Sequence, residues 1–206
     1  MKPDRIILDD LLAMETDSEK FVSIMTRIDA GAVFIYPTET IYGIGGIATT
    51  AVKRKICRIK KRPPDEPLIL IAGDIGVFSG LDLVFNNKAQ LLADTFWPGD
   101  LTLILPASSS EQRVSVRVSD HPFIQLVAEH VREPLYSTSA NMSGETYINN
   151  PDIIYDLFSK KIEMMIDGGV LPESLPSTVV DTCGEEIVIL REGVVPTKRI
   201  MTVAQG

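Results

Sequence analysis

The sequence is poor in the side chains that hold metals and disulfides: 206 residues carry two cysteines and two histidines. Cys57 and Cys183 lie far apart and in no metal-ligand spacing, which argues against a structural zinc site and motivates no disulfide. No apolar run approaches the ~20 residues a membrane-spanning helix needs. Met1 to Glu15 mixes charges among its apolar residues and has no signal-peptide core. These absences point to a reducing cytoplasm and no membrane partner. There is no G-x-S-x-G elbow and no Walker loop. His121 and His130 are the only histidines, and His130 reads as a structural residue in mid-helix. With no nucleophile–base–orienter set in view, position and charge would have to carry any catalysis. Repeats, low-complexity tracts and linkers are missing too. A single domain over residues 1–206, with no extra C-terminal domain, is expected, since one core stays viable to about 250 residues.

What is present is an uneven charge. The net charge is −8, yet Lys53 to Arg62 holds seven basic residues and no acidic one. The other 196 residues hold 13 basic and 28 acidic side chains. Most of the surface should repel a polyphosphate chain while one patch attracts an anion. That favours a small phosphorylated ligand over a long nucleic acid, which usually meets a broader basic face.

Helix and strand signals alternate along the chain. Thr16-Asp17-Ser18-Glu19 fits a capping box, followed by Phe21, Ile24, Met25 and Ile28 on one helical face and by Gly31 at the helix end. Ala32 to Tyr36 reads as a buried strand. Thr50 is placed to cap a second helix, with Val52, Ile56 and Ile59 inward and the basic cluster outward. Strands are expected at Leu68 to Ala72, Leu101 to Leu105, Val114 to Val118 and Leu135 to Ser137, with a polar turn from Ser108 to Gln112. Helices are expected from Asn87 to Phe96, after His121-Pro122, and from Asn150-Pro151, the last with Ile153, Ile154, Leu157 and Phe158 inward. The tail reads as strands at Ile162 to Ile166, Thr178 to Asp181 and Glu186 to Leu190. The class that follows is α/β or α+β: one twisted, mixed parallel and antiparallel sheet with helices packed on it.

Five segments could carry chemistry. Tyr36 to Gly46 leaves a strand through Pro37, passes hydroxyls at Thr38, Thr40 and Tyr42, and enters glycines. Gly43-x-Gly45-x-x-Ala48 fits a dinucleotide pattern, but six residues separate it from the strand and no helix opens there, so a plain glycine-rich turn is the simpler alternative. Lys60 to Pro67 ends the basic helix in prolines and leaves Lys60 and Arg62 at its frayed end, either solvated or aimed at phosphate and carboxylate. Period-two alternation puts Val114, Val116 and Val118 on one face and Arg113, Ser115 and Arg117 on the other. If that polar face lines a cleft rather than meeting water, Arg117 needs an anion. Ser137 to Gly144 packs small polar side chains after a strand, as a ligand cradle or a self-bonded turn. Pro176 to Asp181, with Arg191 behind it, offers more hydroxyls and another cation.

Together these segments resemble the YrdC family of threonylcarbamoyl-AMP synthases, of RibB-like fold. The matching stretches are PTETIYGIG at 37–45, KKRPPDEPL at 60–68, FWPGDLTLIL at 96–105, VRVSDHP at 116–122, STSANMSG at 137–144, PSTVVD at 176–181 and ILREG at 189–193. Each alone is weak; all seven occur in the family's order. The family's K-x-R and S-x-N signatures stand here as Lys60/Arg62 and Ser139/Asn141, the residues the resemblance marks as catalytic. The resemblance implies that L-threonine, bicarbonate and ATP, with Mg²⁺ carried on the nucleotide, give threonylcarbamoyl-AMP and pyrophosphate. A separate tRNA-modifying transferase complex would then consume the product. By matching positions Thr38, Tyr42, Arg117, Ser137 and Ser177 would hold threonine. Lys60, Arg62, Ser139, Asn141 and Arg191 would hold ATP, with Arg62 and Ser137 lying between the two. Two positions depart from the pattern: many members carry a basic residue where Glu66 stands, and Asp100 replaces a common proline. The alternatives are a YciO-like protein that binds double-stranded RNA or tRNA without synthase activity, or a different enzyme on the same fold.

Overall fold

The computed structural model describes residues 2–108 and 111–205. The expected turn at Ser108 to Gln112 therefore falls partly outside the described residues, at positions 109 and 110. Ten strands join in one sheet: β1 Asp4–Ile7, β2 Phe34–Tyr36, β3 Gly43–Ile47, β4 Ile69–Ala72, β5 Leu101–Pro106, β6 Arg113–Val118, β7 Leu135–Ser139, β8 Met164–Asp167, β9 Thr178–Asp181 and β10 Val188–Arg191. Their order is β1-β8-β2-β3-β7-β4-β6-β5-β9-β10. β1 and β2 run parallel to β8, β4 to β6 and β5 to β9, and the other pairings are antiparallel. The mixed sheet matches the expected class.

Among the described residues seven α-helices accompany it: α1 Leu8–Leu12, α2 Glu19–Asp29, α3 Thr50–Lys60, α4 Asn87–Phe96, α5 Pro122–His130, α6 Pro151–Phe158 and α7 Thr197–Ala204. Most helix starts have a side-chain cap. Ser18, Thr49, Asn86, His121 and Asn150 each accept a bond from a first-turn N–H, an arrangement worth about 1 kcal/mol apiece. Two caps sit off their expected positions. Ser18, not Thr16, caps α2, because Ser18 also donates to the Glu15 carbonyl and so faces the open helix end. Thr49, not Thr50, caps α3. Gly31 has φ +84, the left-handed value that lets the chain leave α2 for β2.

Three further expectations change. The glycine-rich stretch is no turn: Gly43–Ile47 is β3, between β2 and β7. Glycine is obligatory at Gly45, where a Cβ would lie 2.0 Å from the Tyr136 carbonyl oxygen. Ile153 points outward, since Pro151, Ile154 and Phe158 already fill the buried face of α6. His130 ends α5 instead of lying mid-helix, edge-on to Phe21 at 4.8 Å.

The apolar side chains form two clusters. One joins α2, α5 and α6 to β1, β2, β3 and β8, and includes Phe21, Phe34, Tyr36, Phe123 and Phe158. The other packs α4 and α7 against β5, β6 and β9, through Leu92, Phe96, Leu103, Val116, Val180 and Ile200. No described helix is long and apolar enough to cross a membrane.

Candidate active site

The alternation expected for β6 holds, and the neighbouring strands share it. Leu70, Leu103, Val116 and Val180 turn into the second cluster. Their chain neighbours Ile69, Ile71, Ile104, Ser115, Arg117 and Val179 floor a cavity of about 520 Å³ on the other face. Ser115 and Arg117 thus meet a cleft rather than bulk water, while Arg113 at the start of β6 is exposed and pairs with Asp181 at 2.8 Å. The walls come from the loop between β2 and β3, the end of α3, the segment after β7, and the Ser177 and Arg191 pair. All ten residues expected in the site line this one cavity: Thr38, Tyr42, Lys60, Arg62, Arg117, Ser137, Ser139, Asn141, Ser177 and Arg191.

Of the two alternatives for Lys60, a solvated end or one turned to a site, the structure has the second. Lys60 is 3 % exposed, and its ammonium donates to the Ser139 carbonyl, to Ser139 Oγ and Asn141 Oδ1 at 3.4 Å, and to Thr138 Oγ1 at 3.5 Å. The K-x-R and S-x-N segments, about eighty residues apart in the chain, therefore meet at one nitrogen. Lys61 adopts φ 54, a left-handed helix end that swings Arg62 back toward the same wall. Arg62 donates to the Pro67 carbonyl at 2.9 Å, and its Nε lies 2.7 Å from Glu66 Oε2 as an ion pair. Asn141 is fixed in turn by donating to the Glu145 carbonyl.

The anion that Arg117 requires comes from within the chain. Arg117 is 4 % exposed; Nη2 donates to Glu39 Oε2 and Asp100 Oδ1, both at 2.9 Å. Nε donates to the Gly99 carbonyl at 2.9 Å and Nη1 to Thr40 Oγ1 at 3.3 Å. Burial works against a charged Glu39, but Arg117 and the Ser119 hydroxyl outweigh it and hold the carboxyl below its ordinary range. For Asp100, burial dominates and moves the carboxyl upward despite Arg117. Arg191 donates through Nε and Nη2 to the Ser177 carbonyl at 3.1 and 2.9 Å, and Ser177 Oγ pairs with Thr102 Oγ1 at 2.9 Å.

Two hydroxyls are committed elsewhere. Thr38 Oγ1 donates to the Ile41 carbonyl at 2.7 Å and accepts from the Thr40 and Ile41 N–H groups. Tyr42 donates to the Gly169 carbonyl at 2.7 Å and accepts from the Gly168 N–H at 2.9 Å. Both shape the cavity wall through their own bonding. Sequence reasoning did not single out Glu39, Glu145, Tyr147 or the floor residues Ile69, Ile71, Ile104 and Val179. Glu39 lies inside PTET, and an acidic residue beside a needed Arg partner was the available signal.

Charge is therefore distributed in a definite way. Lys60 and Arg191 meet neutral acceptors, while Arg62 faces one carboxylate and Arg117 faces two. Burial, then the neighbouring Arg62, lowers the Lys60 ammonium to about 8. Burial also lowers Arg191. Lys60 and Arg191 are thus the two cavity cations that gain most from an incoming anion.

The family model Sua5_yciO_yrdC, described as telomere recombination, matches residues 26–193. The chain belongs to the Sua5/YciO/YrdC family. A threonylcarbamoyl-AMP synthase of Vibrio vulnificus is 35 % identical over 182 residues, covering 82 % of this chain and 96 % of its own. Synthases of Pyrococcus abyssi and Bacillus subtilis are 36 % and 32 % identical and cover 84 % and 98 % of this chain. This chain spans only 54 % and 62 % of those two relatives. Among solved Sua5/YciO/YrdC structures, P. abyssi Sua5 complexed with L-threonine superposes with a TM-score of 0.82 at 32 % identity, covering 98 % of this chain and 61 % of its own. Escherichia coli YciO superposes with a TM-score of 0.79 at 25 % identity, covering 97 % of this chain and all of its own.

Proposed function

We propose that the chain is a threonylcarbamoyl-AMP synthase, forming threonylcarbamoyl-AMP and pyrophosphate from L-threonine, bicarbonate and ATP. The observation that carries this reading is the meeting of Lys60 with Ser139 and Asn141 in a cavity that also holds Arg62, Arg117 and Arg191. Synthase relatives and a threonine-bound Sua5 structure point the same way. ATP is held by Lys60 and Arg191, the cavity cations that among the described residues lack a carboxylate partner. Threonine lies toward Arg117, with Ser137, Ser177 and the wall at Thr38 and Tyr42 around it.

The chemistry needs little beyond placement. Bicarbonate takes a proton and loses water to give carbon dioxide; the neutral threonine amine adds to its carbon and releases a proton, and an oxygen of the resulting carbamate attacks the α-phosphorus and expels pyrophosphate. Carbamate and triphosphate repel one another, and Lys60 and Arg62 supply the charge that lets them approach. Mg²⁺ fits as a passenger on the nucleotide: among the described residues no cluster of three His, Cys, Asp or Glu side chains exists to hold a metal, so phosphate oxygens would be its ligands. Bound there it would neutralise phosphate charge. Fixing the reactants in line draws on the roughly 7–11 kcal/mol that proximity can contribute. The product would pass to a tRNA-modifying transferase complex.

The test is pyrophosphate release. It should need ATP, threonine and bicarbonate together, and a new adenylate should appear on chromatography. Lys60→Ala and Arg62→Ala should each lower turnover by about 10²–10³, the cost of removing one preorganised transition-state contact, with unchanged circular dichroism. Release that continues without threonine would rule the reading out. A second reading is favoured by Lys53, Arg54 and Arg58 of α3, which among the described residues have no ion-pair partner. An RNA-binding protein without synthase activity would bind a duplex RNA with strong salt dependence and release no pyrophosphate.

A further inference from the structure

Arg117 has five guanidinium N–H groups, and four are used inside the chain. Among the described residues one N–H on Nη1 has no acceptor, and Arg117 lines the cavity. Its two carboxylate partners are not held alike. Glu39 is pinned by a second bond, from Ser119 Oγ, and lies in the turn that Thr38 stabilises. Among the described residues the Asp100 carboxylate has Arg117 as its one bonded partner, and that side chain is 27 % exposed. Two acids against one guanidinium give this trio a net charge of −1 at the cavity wall that Arg117 lines, where an amino acid's carboxylate would have to settle.

We infer that Asp100 is a specificity-determining residue: an internal carboxylate that competes for Arg117 and sets the cleft's affinity for the carboxylate end of its amino-acid substrate. This rests on the synthase reading for the identity of that substrate. An incoming carboxylate reaches Arg117 either through its one free N–H, against the repulsion of Asp100, or by displacing Asp100 into solvent. Displacing Glu39 instead would break a second bond and open the wall at Thr40. The exchangeable acid is therefore Asp100. Both routes cost affinity that a neutral residue at position 100 would not impose. The effect belongs to the carboxylate group of the ligand and not to its side chain.

Calorimetric titration of L-threonine without nucleotide, into wild type, Asp100→Asn and Asp100→Ala, tests this. Both variants should bind L-threonine about three- to tenfold more tightly, the scale of removing one like charge from a partly exposed site. L-Threoninamide, which lacks the carboxylate, should show no such gain. A generally loosened or tightened pocket would move both ligands together. L-Threonine binding to wild type with equal or weaker binding to both variants overturns the inference and leaves the synthase reading standing. An equal gain for the amide also overturns it. No binding of threonine by any of the three proteins overturns the synthase reading and this inference with it.

Discussion

At Lys60 an ammonium meets four neutral acceptors and a neighbouring guanidinium, with no carboxylate. Burial first, and Arg62 second, lower it from 10.5 to about 8. The sign of the linkage follows. Between about pH 8 and 10.5 the unfolded chain holds the Lys60 proton more tightly, so the Lys60 contribution makes stability rise with pH across that window. Below about pH 8 the cost of the buried charge is fully present and constant. A triphosphate placed beside Lys60 reverses the balance and restores the ammonium. Nucleotide binding near pH 8.5 should therefore take up a fraction of a proton, measured by calorimetry in two buffers of different ionisation enthalpy. Lys60→Met should show no uptake. Equal apparent enthalpies in both buffers for wild type would mean that the nucleotide does not sit against Lys60. That Lys60 mattered followed from the family resemblance its K-x-R motif carries; that it is buried was not legible, because the acceptors that satisfy it come from β7 and beyond.

Strand β3 shows how an element can be hidden by the residues that make it fit. Gly43, Gly45 and Gly46 have low strand propensity and read as a turn, yet they are what three close approaches demand. A Cβ on Gly45 would meet the Tyr136 carbonyl at 2.0 Å and the Tyr36 ring at 3.1 Å, and one on Gly46 the Ala32 carbonyl at 2.4 Å. Gly45→Ala should break the pairing of β3 with β7 and cost about 3–5 kcal/mol in urea unfolding, in the range of a severe core lesion. Gly80→Ala, where a Cβ meets nothing within 4 Å, should stay within about 0.5 kcal/mol. Equal effects at both positions would mean that β3 does not pack as described. Elements with strong local signals were legible: α4 runs from Asn87 to Phe96 and β9 from Thr178 to Asp181, as expected. β1, α1 and α7 were not, being short and carrying charged residues through their apolar spacing. β10 begins two residues later than expected, since only Val188–Arg191 finds a partner in β9.

Across the whole molecule, β4, β5, β6 and β9 serve two faces at once. One face is buried under α4 and α7, and the other floors the cleft, so the cavity sits on a rigid sheet rather than on loops alone. The ten candidate residues were legible as types and in order along the chain. Their meeting was not, because it depends on a strand order that brings β7 beside β4, far apart in sequence. This division of labour separates stability from binding. Ile200 is fully buried in the cluster under α7 and lines no part of the cavity. Ile200→Ala should remove about 2–5 kcal/mol of stability through the cavity it leaves, while KM for threonine and ATP stays unchanged below the new melting temperature. Ligands that bind only the folded chain should raise the melting temperature of wild type and variant alike, as mass action requires. If Ile200→Ala instead raised KM severalfold with folding intact, packing under α7 would be holding the floor residues in place. The two faces of the sheet would then act as one coupled unit, and Arg117 would owe its position to helices on the far side.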